Sequence, residues 1–171
     1  MTILGIDPGY ATVGFGIIQG DRVRQKLVTY GAIRTPAGEP IAARLKQIYD
    51  DATLLIGQFA PEAMAIEQLF FNTNTTTAMA VAQARGVLLL AAETLGVPIF
   101  EYTPLQVKNA ITGYGRAEKK QMMEMVRRLL SMDHIPKPDD AADALAVSLC
   151  HMRSATNRMS QIKGGSSCST T

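Results

Sequence analysis

From Asp139 to Cys150 the chain reads Asp-Asp-Ala-Ala-Asp-Ala-Leu-Ala-Val-Ser-Leu-Cys, a helical segment apolar on nearly every side that nevertheless carries acids at its start and one turn in. A helix apolar all round has to be mostly buried, so the rest of the chain must supply the surface that covers it. Two further acids stand where acids are out of place: Asp7 ends the apolar run Ile3-Leu4-Gly5-Ile6, and Glu67 ends Ala63-Met64-Ala65-Ile66. An isolated ionised carboxylate in a low dielectric is strongly unfavourable, so such groups must be paired, hydrogen-bonded, protonated or bound to metal.

The remaining pattern supplies a sheet. Ile3 to Asp7 and Val13 to Ile18 are short apolar runs closed by Asp-Pro-Gly and Gln-Gly-Asp-Arg, and Arg22 to Ile33 begins as a polar-apolar alternation. These read as three strands of an antiparallel meander. Ile41, Leu45, Ile48, Ala52 and Leu55 recur at helical spacing up to Gly57; Ala63 to Glu67 is a buried-type strand; Thr75 to Leu95 is an alanine-rich helix stopped by Gly96 and Pro98; Val97 to Tyr102 is a fifth strand. Helices follow at Pro104 to Ile111, Ala117 to Met132 and Asp139 to Arg153. Strands separated by helices become parallel neighbours through right-handed crossovers, so the fold is α/β, a mixed five-stranded sheet with helices on both faces. At 171 residues the chain fits one domain, 1–153, with a polar Ser/Thr/Gly-rich tail over 154–171 that is expected to be flexible. The length is short for two-lobed phosphotransferases of the actin type, which enclose a nucleotide between a pair of domains. No basic leader and no uncharged apolar run of membrane-spanning length occurs, and Cys150 and Cys168 suit neither a disulfide framework nor a zinc site, so a soluble protein of the reducing cytoplasm is expected.

Each acid taken alone has an ordinary explanation. Asp7-Pro8-Gly9 is a turn sequence, and acids after Pro138 suit the positive end of a helix. Asp143 and Glu67 are harder to explain that way. Together, the i, i+3 spacing puts Asp140 and Asp143 on one helix face, and Asp7 and Glu67 lie at strand carboxyl ends, the edge where open sheets gather ligands. Two carboxylates about 4 Å apart repel by roughly 4 kcal/mol at an effective dielectric of 20, so a cluster of four calls for a cation. Oxygen-only ligation points to Mg²⁺ or Mn²⁺. Spacing leaves Asp139 and Asp140 as alternatives, since Asp139 and Asp143 are at i and i+4. His151, eight residues past Asp143, lies about 12 Å further along the helix, too far to share its metal, and His134 has no evident partner.

Charge is local. The chain carries only +2 overall, but residues 103–130 hold Lys108, Arg116, Lys119, Lys120, Arg127 and Arg128 against two acids. Lysines at the start of a helix, after Gly113-Tyr114-Gly115-Arg116, suggest a phosphate drawing on the same amide groups. Phe70 and Phe71 are followed by four polar residues; core packing is the usual fate of such rings, and beside a metal site acting on a polyanion the alternative is that one of them stacks on or wedges between bases.

Ile3-Leu4-Gly5-Ile6-Asp7-Pro8-Gly9 with Gly14-Phe15-Gly16, Ala65-Ile66-Glu67-Gln68-Leu69-Phe70, Gly113-Tyr114-Gly115-Arg116-Ala117-Glu118-Lys119-Lys120-Gln121 and Asp140-Ala141-Ala142-Asp143-Ala144-Leu145-Ala146 together closely resemble the bacterial RuvC Holliday junction resolvases, in order, from about residue 2 to residue 153. The resemblance implies a ribonuclease H-like fold, a homodimer, and an endonuclease that resolves four-way DNA junctions by paired symmetric nicks. It implies Asp7, Glu67, Asp140 and Asp143 as the catalytic and metal-binding acids, which selects Asp140 over Asp139. It also implies two Mg²⁺ per site, Phe70 as the ring that disturbs base stacking, Lys108 and Lys119 as basic groups near the scissile phosphate, and the RuvA and RuvB branch-migration complex as partner. Arg116 and Lys120 are added as DNA contacts from local charge alone. The rival expectations are a nuclease of the same fold acting on RNA or RNA-DNA hybrids, and a non-catalytic junction-binding adaptor.

Overall fold

The fold is set by a period-two alternation in its two central strands. In the computed structural model, which describes residues 1–69 and 75–163, the side chains of residues 75, 76 and 155–163 excepted, β1 (Thr2–Asp7) sits at the middle of a five-stranded sheet. β2 (Thr12–Gly20) and β3 (Gln25–Arg34) extend it antiparallel on one side; β4 (Ala63–Glu67) and β5 (Ile99–Tyr102) extend it parallel on the other, giving the order β3-β2-β1-β4-β5. The mixed sheet expected from the sequence is present.

Successive strand residues point to opposite faces, and each face has its own core. Leu4, Ile6, Met64 and Ile66 join Ile48, Ala52, Leu88 and Ala92, which come from α1 (Ile41–Phe59) and α2 (Thr75–Thr94). Ile3, Ala63 and Ala65 join the other face with Val107 of α3 (Pro104–Thr112), Met122 and Val126 of α4 (Lys119–Leu129), and Leu145 and Leu149 of α5 (Asp139–Lys163). As the all-round apolar composition requires, α5 is buried from Ala141 to Met152 except at Asp143, lying across β1, β2 and β4.

Glycines let α5 approach so closely. A Cβ on Gly5 would collide with the Ala144 carbonyl, one on Gly14 with the Asp140 carbonyl, and one on Gly16 with the Leu145 side chain. Gly14 is paired with Asp7 across β1 and β2, so the start of α5 rests directly beside Asp7.

Two helix boundaries differ from the sequence expectation. α4 starts at Lys119 rather than Ala117, because Gln121 Oε1 accepts the Glu118 N–H at 3.0 Å and makes Glu118 the cap. α5 continues ten residues past Arg153 to Lys163, since no glycine or proline occurs before Gly164 and each added residue adds a hydrogen bond. Among the described residues no helix is long and apolar enough to cross a membrane.

Candidate active site

The parallel register places Ile6 opposite Ile66, so the next residues, Asp7 and Glu67, end their strands side by side at the carboxyl edge. Both belong to the face that α5 covers, because they continue the Ile3-Gly5 and Ala63-Ala65 series. The first two turns of α5 carry Asp140 and Asp143 to the same edge. All four are half-buried rather than fully enclosed, at the rim of the core and not inside it.

Their electrostatics show mutual proximity. The Asp7 carboxyl is pushed up to about 8, first by burial and then by the negative charges of Asp143, Glu67 and Asp140. Glu67 is raised to about 6 by burial and by Asp143, against the pull of Lys108 and Lys119. Burial also raises Asp143, although Lys119 draws it down. Asp139 behaves differently: its carboxyl is held below the usual range by Lys137 Nζ at 3.0 Å and by Lys119, and it does not act on Asp7. The charge of Asp140 acts on Asp7, while Asp139 and Asp140 both act on Asp143.

Lys119 Nζ donates to Asp143 Oδ2 at 3.1 Å and lies 3.6 Å from Asp139 Oδ2. Burial works against its charge, but these carboxylates outweigh it and raise its pKa. The lysine expected to meet phosphate is therefore turned onto the acids here. Among the described residues no group of three or more His, Cys, Asp or Glu side chains stands ready to hold a metal ion. The convergence of all four acids on one point, expected from their spacing, is looser than a closed ligand set.

Beside the acids opens a cleft of about 210 Å³, lined by Glu67, Asp143, Lys108 and Lys119 over an apolar floor that includes Val107 and Met122. Lys108 is fixed there by α3, whose start is capped by Thr103 and Gln106, with the Thr103 hydroxyl accepting the Gln106 N–H at 3.1 Å. Arg116, on the segment leading into α4, and Lys120, in its first turn, are exposed. Phe70 lies outside the described residues. His151 is a packing residue: its Nδ1 is 2.7 Å from the Tyr102 hydroxyl and its ring 4.3 Å from that of Phe100. His134 is exposed, and the buried Cys150 thiol is pushed up to about 11, which leaves it unreactive.

Sequence reasoning missed Arg44. It is only 7% exposed; its Nε donates to Thr35 Oγ1 at 2.8 Å, and its guanidinium lies 3.5 Å from the Tyr10 ring centroid. The Thr35 hydroxyl in turn donates to the Tyr10 carbonyl at 2.8 Å, so this group fastens the turn that follows Asp7. Among the apolar spacings of α1, an arginine carries no signal that separates it from a solvated one.

A β3-β2-β1-β4-β5 sheet with carboxylates from its two central strands and one crossing helix gathered at the carboxyl edge defines a nuclease of the ribonuclease H-like class. The model for crossover junction endodeoxyribonuclease RuvC matches residues 3–151. A crossover junction endodeoxyribonuclease RuvC of Brevibacillus brevis is 54% identical over 151 residues, covering 88% of this chain and 91% of that one. The structure of Thermus thermophilus RuvC superposes with a TM-score of 0.85 at 36% identity, covering 94% of this chain and 97% of that one. The same protein in complex with Holliday junction substrate gives 0.84 at 34%, covering 92% and 96%. This chain belongs to the RuvC family of crossover junction endodeoxyribonucleases.

Proposed function

We propose that this protein is a structure-specific endonuclease that resolves four-way DNA junctions by paired symmetric nicks, leaving 5′-phosphate and 3′-hydroxyl ends, in recombination and repair. The placement of these acids carries the reading: Asp7 and Glu67 end neighbouring parallel strands, and Glu67 and Asp143 line a cleft with Lys108 and Lys119, where burial raises the pKa of Asp7, Glu67 and Asp143. Their donor chemistry, carboxylate oxygen without His or Cys, fits hard divalent cations, two Mg²⁺ with Mn²⁺ able to substitute, held by Asp7, Glu67, Asp140 and Asp143. When bound, such ions lower the pKa of an attacking water and stabilise the departing 3′ oxygen.

The chain's own groups do the rest. Lys119 stands in for positive charge beside Asp143 and turns to a phosphate oxygen when cations neutralise the acids. Lys108, which also lines the cleft, holds the phosphate in line, and Arg116 and Lys120 take neighbouring backbone phosphates. Phe70 follows the β4 acid closely enough in sequence to disturb stacking near the crossover. The working domain is residues 1–153, acting in the cytoplasm.

A junction has near-twofold symmetry, so a twofold dimer puts one site on each opposed strand. The alanine-rich helix α2 is the candidate for its interface. On that helix Met79, Ala82, Gly86 and Leu90 form the exposed stripe, with Met79 74% and Leu90 57% accessible, which supports pairing through α2. The RuvA and RuvB complex remains the partner that the family likeness suggests. Substrate class is tested by offering the protein, in Mg²⁺, a synthetic four-way junction and an RNA-DNA hybrid duplex of matched length. Cleavage of the junction at symmetric positions is expected. Cleavage of the hybrid alone, or metal-dependent junction binding without nicking, would replace this reading with one of its rivals.

A further inference from the structure

The loop between α3 and α4 holds one aromatic ring out in the solvent on a backbone that is fixed in several places. Gly113 closes α3 in the left-handed region at φ 73°, its N–H donating to the Asn109 carbonyl at 2.9 Å. Thr112 Oγ1 accepts the Tyr114 N–H at 3.2 Å and lies 3.0 Å from the Tyr114 carbonyl, which also accepts the Ala117 N–H at 3.2 Å. Gly115 doubles back onto the start of α3, where a Cβ would strike Leu105 and the Asn109 side chain.

Two apolar side chains of this region are left uncovered by folding. Tyr114 is 57% and Leu105 58% exposed, and Tyr114 is the one aromatic ring that is exposed among the described residues. Leu105 neighbours Pro104, which lines the cleft with Lys108 and Lys119. Core packing does not explain a ring held in water by a fixed loop, and nearby Arg116, Lys119 and Lys120 make an anionic neighbour favourable. Nucleic acid offers both features at once, a phosphate for the cations and a π-face for the ring.

We propose that Tyr114, with the exposed Leu105 in the same region, is a stacking platform for a nucleobase of the DNA strand whose phosphate enters the cleft that Pro104, Lys108 and Lys119 line. This rests on the junction-nuclease reading and adds a contact that tells an unstacked base near the crossover from a stacked one in continuous duplex. It carries no charge, so its contribution to affinity is independent of salt, unlike that of the surrounding lysines.

The experiment measures the dissociation constant of a four-way junction in EDTA over a range of salt for wild type, Y114A and Y114F, with thermal melts to confirm that all three fold. The expected result is about tenfold weaker binding for Y114A at every salt concentration with the same salt slope, and Y114F within twofold of wild type. Photocrosslinking from 5-iododeoxyuridine placed at successive positions around the crossover is expected to recover the peptide that contains Tyr114. A Y114A constant within twofold of wild type overturns the proposal, as does a Y114F variant as weak as Y114A, which would mean a hydroxyl contact instead of stacking. Wild-type protein that nicks no junction once Mg²⁺ is added would instead defeat the functional reading on which the platform rests, so the two failures are separable.

Discussion

Asp7 is the residue most burdened by its surroundings, and its pH behaviour without metal follows from that. Its folded-state pKa of about 8 lies above the ordinary carboxylate value, so the folded state holds this proton more tightly than the unfolded chain does. The stability this group contributes is full below about pH 4 and is lost as pH rises toward 8. In EDTA, thermal melts of the wild type are expected to fall between pH 5 and pH 8, and Asp7→Asn, which mimics the protonated form at all pH values, should remove much of that fall. An unchanged pH slope would mean that Asp7 is not strained by its neighbours. The same variant is expected to lose at least a hundredfold in nicking rate while binding a junction within a few-fold of wild type, because phosphate contacts come from Lys108, Lys119 and their neighbours. At this scale the sequence was informative wherever an acid sat among apolar residues. It was silent on Arg44, whose burial depends on a turn and a strand distant in sequence. It also gave no hint that Lys119 pairs with Asp143, since that contact joins two helices.

The site is assembled by α5 resting on glycines in β1 and β2, and this is where a small change should do the most damage. Gly14→Ala places a methyl group into the Asp140 carbonyl, so the start of α5 must shift away from Asp7. Overpacking of this kind costs about 1–3 kcal/mol, and a displaced helix start misplaces both aspartates. The variant is expected to melt lower and to nick at least tenfold more slowly at saturating Mg²⁺; full activity would show that the close approach is not needed. Strand and helix positions were legible from periodicity, and so was the burial of α5. The reason for Gly5, Gly14 and Gly16 was not, because a glycine in a strand reads only as a weakness until the element crossing it is known. The end of α5 was misplaced for a related reason: the change to polar composition at Ser154 does not by itself break a helix that is already propagating, and α5 runs on to Lys163.

On the scale of the whole molecule, the sheet edge gathers the acids, the α3–α4 region supplies the cations, and α2 carries an exposed stripe on the opposite face of the sheet. Sedimentation at micromolar concentration is expected to show a dimer, and Met79→Glu together with Leu90→Glu to give monomer without loss of fold; a monomeric wild type would refute pairing through α2. Lys119→Ala should reduce the slope of log affinity against log salt by about one unit for a junction. An unchanged slope would leave Lys119 as a partner of Asp143 only. The architecture as a whole was readable because hairpin, crossover and helix signals agreed, while the expectation of a second chain came from the family resemblance and from no pattern in the residues. Anomalous diffraction from crystals soaked in Mn²⁺ probes the acidic cluster most directly. Two peaks are expected among Asp7, Glu67, Asp140 and Asp143, with Lys119 swung away from Asp143; ions absent from that edge, or Lys119 still seated on Asp143 beside an unbound cluster, would contradict it.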